Sequence, residues 1–316
     1  MKKEKVIVIV GPTASGKTSL GIELAKKIGG EIISCDSMQI YKGLDVGTAK
    51  ATKEEQKEVK HHLIDIIDYT EKFSVAEFKA LCYDKIDEIL KKGKTPILVG
   101  GTGLYINSVI LDMNFEKLIN DEDVQKYREY LYNLAKTKSN DFVYNMLVEV
   151  DKEAAKEIHK NNLKRVVRAL EIAKFQEKNK SRYMLNEKNR IENLDLKYDF
   201  LIYYIDINRD ILYERINFRV DQMMQDNKIL NEAKMLYDNK ENASNTCLQA
   251  IGYKEFFDYF DGKATLESCV EKLKQNTRNY AKRQITWFKN KTNCKKINGL
   301  DETYKNVKLI MNDFLN

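Results

Sequence analysis

The 316-residue sequence has only two prolines, one tryptophan, three histidines and five cysteines. Two prolines (Pro12 and Pro96), with no Gly/Ser-rich stretch, exclude a flexible linker or a low-complexity tract. The cysteines (Cys35, Cys82, Cys247, Cys269 and Cys294) are odd in number, widely spread and never arranged as C-x-x-C. That pattern excludes a disulfide framework and a zinc ribbon and predicts reduced thiols that fill space. No apolar run approaches the ~20 residues of a membrane span. The start, Met1-Lys2-Lys3-Glu4-Lys5, leads into a short strand-like stretch instead of a secretory hydrophobic region. The expectation is a cytoplasmic protein without membrane contact.

Acid is missing from one segment. Between Lys272 and Lys296 stand nine basic residues (Lys272, Lys274, Arg278, Lys282, Arg283, Lys289, Lys291, Lys295, Lys296) and no Asp or Glu. The chain as a whole has a formal net charge of +6, so the rest, with 45 basic against 48 acidic residues, is slightly negative. A modest overall surplus thus resolves into one local concentration of positive charge.

At ~150 residues per domain, the length corresponds to about two domains or one domain with a large insertion. Val6 to Val10 is a β-branched run ending in Gly11, and Thr18 to Ile28 has helical spacing closed by Gly29-Gly30. Further strands are expected at Glu31 to Cys35, Ile97 to Val99 and Phe200 to Ile207, with a helix from Val75 to Leu90 ending at Gly93. Short apolar strands alternating with helices predict an α/β fold whose parallel sheet is covered on both faces. From Glu116 to Leu196 the sequence turns polar and helical, which predicts a helical insertion (116–196) in a core formed by 1–115 and 197–316. From Ile211 onward everything reads as helix. Leu266, Val270, Leu273, Thr277, Tyr280, Gln284 and Phe288 fall on one stripe, with the basic residues up to Lys289 expected on the opposite face.

Gly11-Pro12-Thr13-Ala14-Ser15-Gly16-Lys17-Thr18 matches G-x-x-x-x-G-K-(S/T), after a strand and at the start of a helix. The backbone amides would cradle phosphate oxygens, Lys17 adds a point charge, Thr18 offers a hydroxyl to Mg²⁺, and the helix terminus contributes its dipole. This P-loop, shared with ATP-binding proteins, specifies a polyphosphate, diphosphate or nucleotide, without saying which. Asp36-Ser37-Met38-Gln39 follows the second strand, at a strand end beside the loop, where Asp36 is either a site residue or a cap. Gly100-Gly101-Thr102-Gly103 follows the next, and its glycines suit either an anion or close helix packing. Ile97-Leu98-Val99 is not followed by the acid that a nucleoside triphosphatase keeps there, and Asp206 is the nearest equivalent. His61-His62 suggests a polar network more than a metal site, since no third ligand stands nearby.

Taken together, Gly11 to Thr18, Asp36-Ser-Met-Gln-Ile-Tyr41, Gly47-Thr-Ala-Lys50, His61-His-Leu-Ile-Asp65, Val99-Gly-Gly-Thr-Gly-Leu-Tyr105, Arg168-Ala-Leu-Glu171, Ile251-Gly-Tyr253 and Lys282-Arg-Gln-Ile-Thr-Trp287 resemble the bacterial tRNA dimethylallyltransferases. The resemblance implies a P-loop NTPase-like core and transfer of a prenyl group from dimethylallyl diphosphate to N6 of the adenosine 3′ of the anticodon. It implies a monomer working with Mg²⁺ on the anticodon stem-loop of tRNA. It casts Asp36 as the base, with Thr102 and Arg219 assisting at the diphosphate. RNA contacts are implied at Asp36 to Gln39 and at Thr102, in the insertion at Gln125, Lys164, Arg165 and Arg168, and in the basic segment at Lys282 and Arg283. A solvated helix face explains the insertion's cations equally well. Trp287, at the stripe's edge, is expected to pack in the core. The competing readings are a P-loop kinase and a non-catalytic RNA-binding protein with an anion clamp.

Overall fold

The computed structural model describes residues 3–113, 115, 121–175 and 196–316. The chain divides into two compact units, Met1–Met113 with Ile191–Asn316, and Asn114–Arg190. Glu116, where the sequence places the start of the insertion, lies outside the described residues, as does the expected stretch 176–195.

The larger unit is built on six strands: β1 (Lys5–Val10), β2 (Gly30–Ser34), β3 (His61–His62), β4 (Thr95–Gly100), β5 (Asp199–Asp206) and β6 (Lys295–Asn298). They lie in the order β3-β2-β4-β1-β5-β6, and every neighbouring pair is parallel. Val6 to Val10 are all buried, as expected of a β-branched strand covered on both faces. The two-residue alternation assigns its side chains to two cores. Val6, Val8 and Val10 pack with Ile33, Leu98, Phe78 and Ile106 on one face. Ile7 and Ile9 pack with Leu20, Leu24, Ile97 and Ile310 on the other.

Helices α1 (Lys17–Ile28), α2 (Lys53–Glu58), α3 (Val75–Lys91) and α4 (Gly103–Ile110) accompany the first four strands. α3 starts where Ser74 and Glu77 form a reciprocal capping box. In the smaller unit α5 (Asp121–Thr137), α6 (Asn140–Val150), α7 (Lys152–Glu157) and α8 (Leu163–Phe175) bury Leu131, Val143, Leu147, Val166 and Leu170 among themselves. After β5 come α9 (Arg209–Met223), α10 (Lys228–Asp238), α11 (Asn245–Leu248), α12 (Phe257–Phe260), α13 (Leu266–Lys291) and α14 (Thr303–Leu315).

Two expectations need correction. The region after Ile211 is not wholly helical, because Lys295–Asn298 forms the edge strand β6 against β5. Its four residues bury only Ile297, too little alternation to read locally. At the opposite edge of the sheet, His61–His62 adds a two-residue strand against β2. The six cations up to Lys289, second, do not form one free helix face, and the other three of the segment lie at or beyond the end of α13. Lys295 and Lys296 sit on β6 beside Asp313 and Asp206, Lys272 pairs with Asp258, and Lys274 pairs with Asp221 and Glu271. Arg278 turns inward and donates to Asn217 at 2.6 Å. The segment is acid-free in sequence but partly neutralised in space, which leaves Arg278, Lys282, Arg283, Lys289 and Lys291 without an ion pair among the described residues.

Candidate active site

The strand order reverses at β1, and a parallel sheet binds ligands at the carboxyl ends of strands flanking such a point. Three connections meet there: Gly11 to Thr18 after β1, Asp36 to Gln39 after β2, and Gly100 to Gly103 after β4. The loop after β1 turns through Ala14 (φ 62°) and Gly16 (φ 90°). The left-handed conformation at Gly16 exposes the first amides of α1 and suits a residue without Cβ. Ser15 Oγ is buried without a hydrogen-bond partner among the described residues, an orphaned donor inside the loop that an anion's oxygen would satisfy.

These segments line a cavity of about 360 Å³. Thr13 to Thr18, Asp36 to Gln39, Gly100, Gly101, Arg219, Tyr280, Arg283 and Gln284 all contribute to its wall. Lys17 folds over the loop and donates to the Pro12 carbonyl at 2.6 Å. Burial, reinforced by the Arg219 guanidinium, lowers its pKa to about 7, while Asp36 opposes the shift. Burial also pushes the Asp36 carboxyl above the ordinary carboxylate range, against backbone hydrogen bonds and Lys17. Asp36 Oδ1 accepts the amides of Met38 at 2.8 Å and Gln39 at 3.4 Å. It is therefore both the cap of its turn and a wall of the cavity, with its side chain aimed by that turn.

Thr102 does not line the cavity. Its hydroxyl accepts the Ser37 amide at 3.2 Å, so it holds the Asp36 turn from behind. The glycines around it serve close packing: a Cβ on Gly101 would lie 2.2 Å from Gln284 Nε2, and one on Gly103 would lie 2.3 Å from the Trp287 ring. Trp287 packs against the core as expected. The Gln39 amide is engaged within the chain, accepting from Ser34 Oγ at 2.9 Å and donating to the Thr48 and Ala49 carbonyls at 3.3 Å. The Thr18 hydroxyl makes no hydrogen bond among the described residues and lines the cavity, which fits the single protein ligand that Mg²⁺ takes when phosphate and water supply the rest.

The family model described as IPP transferase matches residues 39–291. The chain belongs to the IPP transferase family. It is 50% identical over 289 residues to a tRNA dimethylallyltransferase of Bacillus subtilis, covering 92% of this chain and 89% of that one. A crystal structure of a tRNA isopentenylpyrophosphate transferase from Staphylococcus epidermidis superimposes with a TM-score of 0.72 at 42% identity, covering 99% of both chains. A eukaryotic dimethylallyltransferase acting on tRNA gives 0.80 at 31% identity, over 99% of this chain and 79% of that one.

In this IPP transferase the remaining motif blocks are structural supports. Lys50 is buried and bonds the Tyr41 carbonyl, Asp45 and Asp65, drawing the segment after Gln39 into place. Glu232 accepts the amides of Asp45, Val46 and Gly47 and the Tyr253 hydroxyl, which joins the Gly47 and Ile251-Gly-Tyr253 blocks. His62 Nε2 lies 2.7 Å from Glu31, which also pairs with Lys92 and Lys94: the polar network expected of it.

The cations of the insertion are treated differently by the fold. Lys164 and Arg165 are exposed on α8, and Gln125 is exposed on α5. Arg168 instead donates to Glu171 at 2.9 Å, and Arg128 approaches the same buried carboxylate at 2.5 and 3.1 Å. Arg168 is thus a partner of a buried charge that needs one. Tyr280 and Gln284, both in the cavity wall, were legible only as members of the α13 stripe.

Proposed function

We propose that this IPP transferase is a tRNA dimethylallyltransferase that moves the dimethylallyl group of dimethylallyl diphosphate to N6 of the adenosine immediately 3′ of the anticodon. One observation carries the reading: a phosphate loop with Lys17 and Arg219 faces a cavity that also holds an aimed, burial-shifted carboxylate, Asp36. A cation pair stabilises a departing diphosphate, and a carboxylate removes a proton from an incoming amine.

The adenine N6 lone pair is delocalised into the ring, so nucleophilicity requires loss of a proton. Asp36 accepts that proton as N6 bonds to the allylic carbon and the carbon–oxygen bond breaks, its electron pair leaving with the diphosphate. Lys17, Arg219 and the amides at the start of α1 hold the charge that develops on the leaving group. Mg²⁺ held at Thr18 would supply further neutralisation of that charge. Thr102 acts through the backbone of Ser37 to keep Asp36 oriented. The target base has to leave its stack to reach the cavity.

The kinase reading needs a metal-binding carboxylate after a strand. Asp206, the candidate, lies 3.5 Å from Lys296 at the sheet edge and does not line the cavity. The deciding assay is diphosphate release from dimethylallyl diphosphate. It is expected only when unmodified tRNA is present, whereas phosphate release from ATP independent of tRNA would favour the kinase.

RNA backbone binding is assigned to Lys282 and Arg283 on α13 and to Lys164 and Arg165 on α8. Such contacts are sequence-independent and salt-dependent. Replacing both Lys282 and Arg283 by glutamine should lower the slope of log K against log salt by about 2. Nitrocellulose filter binding across a salt series measures it, and an unchanged slope would make this face merely solvated.

A further inference from the structure

Tyr280 stands in the wall of the cavity, and the chemistry above does not use it. Among the described residues of that wall it is the one Phe, Tyr or Trp. The polar neutral residues beside it on α13 are spent within the chain. Gln284, only 5% exposed, accepts the Thr13 amide at 2.8 Å and donates to the Gly101 carbonyl at 2.9 Å. The Thr277 hydroxyl donates to the Leu273 carbonyl at 2.8 Å. That leaves α13 an aromatic ring and the Arg283 cation to offer a ligand. The Arg283 guanidinium lies 5.6 Å from the Tyr280 ring centroid, within cation–π range, which ties the ring to its place in the wall. Burial and the Asp36 charge push the Tyr280 phenol well above the ordinary tyrosine range, so it stays protonated and is no competing base.

We propose that Tyr280 is the platform on which the target adenine stacks once it has left the RNA. The inference rests on the reading of this cavity as the place where N6 is prenylated. A base drawn out of its stack gives up its neighbours on both faces and has to regain contact over a flat, apolar surface. The phosphate loop offers amides and Lys17, which suit charge and not a ring. An aromatic side chain supplies the missing surface at little entropic cost. Asp36 sets where the base must lie, since N6 has to reach its carboxylate, and the charge of that carboxylate is felt at the Tyr280 phenol. The dimethylallyl group, already held through its diphosphate, has no equal need of the ring. Stacking reads no base edge, so Tyr280 positions the adenine and leaves its selection to hydrogen bonds.

The test compares Tyr280→Leu and Tyr280→Phe in the full chain, with thermal unfolding as the folding control. Tyr280→Leu should raise KM for unmodified tRNA about tenfold, the scale of one lost base–aromatic stack, while KM for dimethylallyl diphosphate stays within about twofold. Tyr280→Phe keeps the ring and should stay near the native values of both. The second readout is the emission of tRNA carrying 2-aminopurine at the target position, a base whose fluorescence stacking quenches. On the native protein the emission should remain low, and on Tyr280→Leu it should rise severalfold. If the leucine variant does not fold, Tyr280→Met carries the same expectations. An unchanged tRNA KM or equally quenched emission in the folded variant overturns the proposal, and so does a rise confined to KM for dimethylallyl diphosphate, which would assign the ring to the donor. Failure of the native protein to bind tRNA at all overturns the reading beneath it.

Discussion

Asp36→Asn should lower the single-turnover rate of prenyl transfer by about 10²–10⁴-fold, the range for removing a general base, while tRNA affinity stays within about twofold. The substitution is chosen because the amide oxygen of asparagine still accepts the Met38 and Gln39 amides that form the turn. The loop therefore survives while the proton acceptor is lost. Measuring transfer under saturating enzyme separates chemistry from binding. A variant that binds RNA and reacts at the native rate would make Asp36 a cap and nothing more. The neighbouring Thr102 acts one step back. Thr102→Val removes the acceptor for the Ser37 amide and should reduce the rate without moving the pH limb that Asp36 sets.

The second large effect concerns Lys17 and pH. Its pKa falls from 10.5 to about 7 in the free protein, mainly through burial. The sign follows directly: below about pH 7 Lys17 is an ammonium that attracts diphosphate, and above it the charge is lost before the donor arrives. For Asp36 the shift is upward, so the free carboxylate forms at higher pH than an ordinary aspartate. The profile of kcat/KM for the donor, which reports free-enzyme groups, should therefore be a narrow bell whose alkaline limb begins near pH 7. The kcat profile should hold to higher pH, because bound diphosphate stabilises the Lys17 cation. Lys17→Met should cut kcat/KM by roughly 10²–10³-fold, the scale of one lost charge-stabilising donor, and erase the alkaline limb. A limb that persists in Lys17→Met would assign it to another group.

What the sequence made legible was local. The β-branched run Val6 to Val10, the glycine turn and the periodic helix to Ile28 lie within a couple of dozen residues, and each states its own structure. The Asp36 and Gly100 turns were recognisable because each directly follows a strand and so must lie at the same edge of a parallel sheet. What could not be read depended on distance in sequence. Gln284 reaches Thr13 across 271 positions and Gly101 across 183. Nothing in the 3.6-residue period of α13 distinguishes a buried amide from a filler of the stripe. The basic segment misled for the same reason. Its neutralising acids, Asp206, Asp221, Asp258 and Asp313, come from other elements, so a linear charge count overstated the free positive face. Similarly, Arg168 read as a surface cation until Glu171 was found buried beneath it, because a carboxylate's burial is a property of packing and not of spacing.

The central claim is that one cavity joins a diphosphate cradle to a base that deprotonates adenine N6, and nucleoside mass spectrometry tests it most directly. Unmodified tRNA is incubated with the protein, dimethylallyl diphosphate and Mg²⁺, then digested to nucleosides. The account predicts a new adenosine derivative carrying one dimethylallyl group on N6, at the position 3′ of the anticodon, formed by the native protein and not by Asp36→Asn. Unaltered adenosine after full incubation, or equal product from the Asp36 variant, would contradict it.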